Sequence, residues 1–163
     1  MGKGNWGRRL WVQGSMAGLV ALAGWLGAAN PGLAQGSHTT AVLGYLDQLA
    51  GCEPSNHLLP MPMFTGLLVA TRIEGWQQGR CKVDNQVFAP SAPEARVHLH
   101  TCHYQPNTLR LMTDEVAYEQ VRTGTMTFDT SNPRDMQLSQ SLGEECNFNR
   151  NWLEQLLEHL PQP

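Results

Sequence analysis

The chain has 163 residues, 41% hydrophobic and 15% charged, with 11 basic against 14 acidic side chains and a formal charge of -3. That length supports one domain with a tail and excludes a two-domain enzyme of ordinary size. The composition excludes a charge-solvated disordered chain and a collagen-like repeat, and no run of ~18 or more uninterrupted apolar residues is present to span a membrane.

Residues 1–34 differ from the rest. Lys3, Arg8 and Arg9 form a basic stretch without an acid, and Met16 to Ala29 is an apolar run of 14 residues. Gly32 and Ala34 then place small side chains at the minus-three and minus-one positions of a cut after Ala34. This is the pattern of a secretory signal peptide, with the mature chain starting at Gln35. A membrane anchor is the competing reading, set aside because the apolar stretch falls short of ~20 residues and is diluted by glycine. Arg8-Arg9-Leu10-Trp11-Val12 resembles the twin-arginine export signal, although an ordinary basic leader explains the same residues. The Gly2-Lys3-Gly4-Asn5-Trp6-Gly7 match to a dinucleotide fingerprint precedes any strand and is accidental.

Removing residues 1–34 leaves eight basic against 14 acidic residues, with Lys82 as the only lysine. An acidic chain so poor in lysine is not expected to bind nucleic acid, or an anionic membrane once the signal is removed, since both need clustered cations.

In chain order, Val42, Leu43, Tyr45, Leu46 and Leu49 recur at helical spacing, so a helix is expected over about 40–50, capped by Thr39 or Thr40 and stopped at Gly51. Pro54, Pro60 and Pro62 predict an irregular apolar loop over 53–64. Leu67, Val69, Thr71 and Ile73 alternate as the buried face of a strand over 66–74, Gly75 and Gly79 bracket a turn, and a second strand over 80–87 carries Cys81, Val83 and Val87 on one side. A third strand over 95–103 alternates Val97, Leu99 and Thr101 with His98, His100 and Cys102. A helical turn over 107–111 follows, then a helix over 114–123 capped by Thr113 and closed by Gly124. Another begins at Asn132-Pro133 and runs to about Glu145, and the last spans 152–160 with Trp152, Leu153, Leu156, Leu157 and Leu160 on one stripe. The expected fold is α+β, a small antiparallel meander of about three strands packed with flanking helices, forming one domain over 35–163.

Cys52, Cys81, Cys102 and Cys146 all lie in the mature part, and an even count behind an export signal predicts two disulfides and an oxidising compartment. Cys81 and Cys102 are nearly equidistant from a turn at 91–92, which predicts the bridge Cys81 with Cys102 and leaves Cys52 for Cys146. The sequential alternative, Cys52 with Cys81 and Cys102 with Cys146, needs only a two-residue shift in register.

His98, His100 and Cys102, two apart on one strand, would share a face with His103 just beyond, and such a row can bind zinc or copper. Met61, Met63 and His57 would add ligands that favour copper. Against this, Val97 and Leu99 define the core face and leave the histidines in solvent, and an oxidised Cys102 is no ligand. Leu58, Leu59, Met61, Met63 and Phe64 either cover a core edge or form a partner-binding patch. The acid pairs Asp114-Glu115 and Glu144-Glu145 diverge by ~100 degrees on a helix and do not converge on a substrate. Esterase-elbow, zinc-protease and phosphate-loop signatures are missing. The expectation is an exported, disulfide-stapled domain, periplasmic or secreted, that binds a protein partner in the cell envelope without a cofactor. A periplasmic copper or zinc protein is the alternative, and a small hydrolase ranks lower.

Overall fold

The computed structural model describes residues 35–61, 64, 66–125 and 128–159. The expected signal segment, Met63 and Leu160 lie outside the described residues. The architecture is α+β: five strands, β1 (Ser55–Pro60), β2 (Leu68–Gln77), β3 (Arg80–Phe88), β4 (Val97–Tyr104) and β5 (Cys146–Phe148), form a fully antiparallel meander in the order β1-β2-β3-β4-β5. Helices α1 (Gln35–Gly51), α2 (Pro106–Met112), α3 (Glu115–Thr123), α4 (Pro133–Glu145) and α5 (Trp152–His159) complete the described elements. Their buried side chains join clusters made with one face of the sheet only.

Two strands exceed the sequence expectation. β1 occupies the segment assigned to an irregular loop, because Pro54 precedes it and Pro60 ends it. β1 pairs only with β2, and a proline costs least at the end of an edge strand, where no ladder hydrogen bond is lost. β5 follows α4 and pairs with the middle of β4. In the β2–β3 hairpin, Gln78 (φ 50°) and Gly79 (φ 76°) form the two-residue loop, with positive φ at both central positions as the right-handed strand twist favours. Gly75 lies within β2 instead of bracketing the turn, at φ 92° beside a register shift.

The register places residues of adjacent strands in rows on the helix-covered face. One row runs Ser55, Ile73, Val83, Cys102, Cys146, and another runs Leu59, Val69, Val87, Val97. Between them lies the row His57, Thr71, Asn85, His100, Phe148, which crosses all five strands. The core is accordingly divided. One cluster joins Ile73, Val83, Cys102 and Tyr104 to α1 through Val42, Tyr45, Leu46 and Leu49, and the other joins Val69, Val87, Val97 and Leu99 to Leu156 of α5. The α1 residues follow the i, i+3, i+4, i+7 spacing that turns one helical stripe inward.

The bridges are Cys52–Cys81 and Cys102–Cys146, and the expected pairing of Cys81 with Cys102 and Cys52 with Cys146 is corrected. Cys81 lies opposite Tyr104, while Cys102 lies opposite Val83, a two-residue displacement from the symmetric register. Cys81 instead meets Cys52, which leaves the end of α1 at φ 52°, and Cys102 meets its direct cross-strand neighbour Cys146. These are disulfides of the kind formed in oxidising compartments.

The second acid at the end of α4, Glu145, has a structural role. Glu145 is buried and accepts hydrogen bonds from the backbone N–H of Gln105 (3.0 Å) and the Thr108 hydroxyl (2.8 Å). It therefore caps α2, whose own N-cap residue Gln105 supplies no side-chain cap. Asp114, one residue later than expected, caps α3 by accepting from the N–H of Ala117 at 2.9 Å.

Candidate functional site: the open face of the sheet

A bulge in β4 decides where its histidines go. Gln86 pairs with His98 and Asn85 with His100, so two steps on β4 match one step on β3 and Leu99 is the extra residue. The extra residue inverts the alternation, so Val97, Leu99, His100, Cys102 and Tyr104 are all buried while His98 and His103 are exposed. The expectation that Val97 and Leu99 turn every histidine outward is thus corrected for His100, which is 2% exposed. The row of His98, His100 and Cys102 does not form: His98 and His100 occupy opposite faces and Cys102 is oxidised. Among the described residues no group of three or more His, Cys, Asp or Glu is placed to hold a metal ion.

Inside, the Thr71 hydroxyl donates to Asn85 Oδ1 at 2.7 Å, and Asn85 Nδ2 lies 2.9 Å from His100 Nε2. With its oxygen engaged by Thr71, the Asn85 amide presents N–H to His100, so Nε2 accepts and the ring hydrogen resides on Nδ1. Nδ1 has no hydrogen-bond partner, and the ring packs against Phe148 with centroids 5.1 Å apart. Burial, reinforced by the charge of His98, pushes the His100 pKa down to about 4. This network holds three strands in register and offers no group to solvent.

The loop expected to cover a core edge or bind a partner also divides. Leu59 and Met61 are buried, Phe64 packs edge-on against Trp152 at 5.4 Å, and Leu58 is 57% exposed on the opposite face. A contiguous apolar patch over 58–64 is therefore not presented by the described residues. Ser55 Oγ lies 2.9 Å from His57 Nε2, a spacing that a nucleophile and its base also adopt. Here the Ser55 hydroxyl donates to the Glu53 carbonyl at 3.1 Å, so its oxygen accepts from His57 and the imidazole is not directed to remove the serine proton. The pair locks the entry to β1.

The remaining assembly of polar side chains is the sheet face turned away from the helices. Its rows run Arg80; Lys82 and His103; Arg72, Asp84 and Thr101; Gln86 and His98; then Phe88, over which the Arg96 guanidinium stacks at 4.8 Å. Both acids of this face are engaged by its own donors. Lys82 Nζ lies 3.0 Å from Glu74 and holds that carboxyl below its usual range, while Thr101 Oγ1 donates to Asp84 at 2.7 Å and His98 Nε2 lies 3.3 Å from the same oxygen. The side chains of Arg80 and His103 make no hydrogen bond or ion pair among the described residues, and both residues are exposed. Sequence reasoning missed this face, because its members come from three strands and converge only through the register. The period-two spacing of Arg80, Lys82 and Asp84 was the one available signal.

Compared with protein-family models, curated proteins and solved structures, the chain gives no match. The functional reading rests on its own geometry.

Proposed function

We propose that the protein is an exported binding domain that docks a protein partner in the cell envelope through the open face of its sheet. Residues 1–34 serve as the export signal, and the mature domain acts in the periplasm or outside the cell. The observation that carries this reading is the one-sided layering. The described helices pack on the face bearing Ile73, Val83 and Cys102, while the face bearing Arg72, Lys82 and His98 lacks a helical cover among the described residues. Two disulfides give such a small domain a rigid frame that does not depend on a partner.

A photo-crosslinking side chain at Gln86 on the open face, compared with one at Glu154 on α5, tests the reading in the exporting cell. A discrete adduct from position 86 alone is expected, with a partner that then binds the purified chain. Adducts from position 154 alone, or from neither position, refute it.

A further inference from the structure

The cations of the chain are segregated by the fold. Across residues 35–163, eight basic side chains face 14 acidic ones. Yet the strands of the open face carry Arg72, Arg80 and Lys82 with two acids, Glu74 and Asp84, and Arg96, in the connection that also holds Glu94, stacks over Phe88 at its end. Helices α1 to α5 and their caps show the reverse balance, with Arg110, Arg122 and Arg134 against nine acids. The two sides of one small domain thus carry opposite charge, although the chain as a whole is acidic.

The cations are also ordered. Along the strand direction Arg80, Lys82 and Arg72 occupy successive rows, the next row holds Gln86 and His98, and Arg96 lies over Phe88 of the last. Successive rows are two residues apart and so about 6.7 Å apart, which makes the stripe from residue 80 to residue 88 about 27 Å long. A compact anion such as a single phosphate needs cations that converge, and these do not. An extended polypeptide places every second side chain on one face at the same spacing of about 6.7 Å. About eight residues of it span the stripe.

We infer that the open face binds an extended acidic polypeptide segment with Asp or Glu at alternate positions, laid along β2 to β4 and held by Arg72, Arg80 and Arg96. This deepens the open-face reading above and rests on it. A polypeptide fits better than a nucleic acid or an anionic bilayer for two reasons. Over residues 35–163 acids outnumber basic residues 14 to eight, so the clustered cations that a polyphosphate needs are few, and the acid-rich helical side opposes approach to an extended anionic surface. Gln86 adds an amide of the kind that hydrogen-bonds a peptide backbone.

The test uses the mature chain with both disulfides intact and a fluorescein-labelled peptide of five Glu-Thr repeats, read by fluorescence anisotropy at low salt. Saturable binding is expected, with a Lys-Thr peptide of equal length failing to bind. The double variant Arg72→Gln, Arg80→Gln should weaken binding at least tenfold, whereas Arg110→Gln, Arg150→Gln should change it less than twofold. Peptide binding that is absent, or lost equally in both double variants, overturns the inference. Phosphatidylglycerol vesicles and an oligothymidylate are run in parallel. Binding of either without binding of the acidic peptide refutes a polypeptide ligand, while the crosslink from position 86 separately decides whether the open face docks a protein.

Discussion

Acidification should weaken the fold through His100, and the structure sets the size of the effect. In the native state the imidazole is buried and accepts a hydrogen bond from Asn85, with its pKa depressed from 6.5 to about 4. A second ring proton would oppose the Asn85 amide N–H. Turning that amide to offer its oxygen would take the acceptor away from Thr71. The unfolded chain suffers neither penalty and binds the proton near 6.5. Between these values the unfolded state holds more protons, so stability falls as pH falls through this window and levels off below about 4. At about 1.4 kcal/mol per tenfold change, the loss is about 3 kcal/mol. Urea unfolding midpoints from pH 7 to pH 4 measure it. His100→Gln keeps an acceptor for Asn85 without a titrating group, so its midpoint should fall less steeply over the same range. Equal slopes in parent and variant would refute the assignment, because carboxylates and His57 titrate in both.

Leu156 is 1% exposed and Leu157 54%, so Leu156→Ala should cost ~2 to 5 kcal/mol and Leu157→Ala less than ~0.5 kcal/mol in denaturant unfolding; equal costs would show that α5 is not seated as described. Glu145→Ala removes the acceptor that caps α2 from outside and should cost ~1 to 2 kcal/mol, with faster amide exchange at Gln105; an unchanged midpoint contradicts the cap. Cys146 is the one partly exposed cysteine, whereas Cys52, Cys81 and Cys102 are buried, so graded dithiothreitol followed by alkylation mapping should open Cys102–Cys146 before Cys52–Cys81. The reverse order would count against the placement of β5. Loop closures of 44 and 29 residues put the two losses at about 4 and about 3.5 kcal/mol.

What the sequence determined by itself was local. The apolar spacing of Val42, Tyr45, Leu46 and Leu49, the Asn132-Pro133 start of α4, the alternation in β2 and β3, and an even set of cysteines are each read from the chain alone, most of them from neighbours a few residues away. From them the α+β class, the meander and the presence of two bridges were legible. The tertiary structure decided whatever depends on register. A single extra residue at Leu99 turns His100 into the core while His98 stays outside, and a two-residue displacement of β3 against β4 exchanges the disulfide partners. β1 and β5 escaped notice because a proline-bounded edge strand and a three-residue strand carry too short a pattern, and pairing with β2 and β4 supplies their stability instead. The charge of the open face was hidden for the same reason. Arg72, Arg80 and Arg96 are scattered through an acidic chain, and only the β2–β3 ladder and the stacking of Arg96 on Phe88 bring them onto one surface.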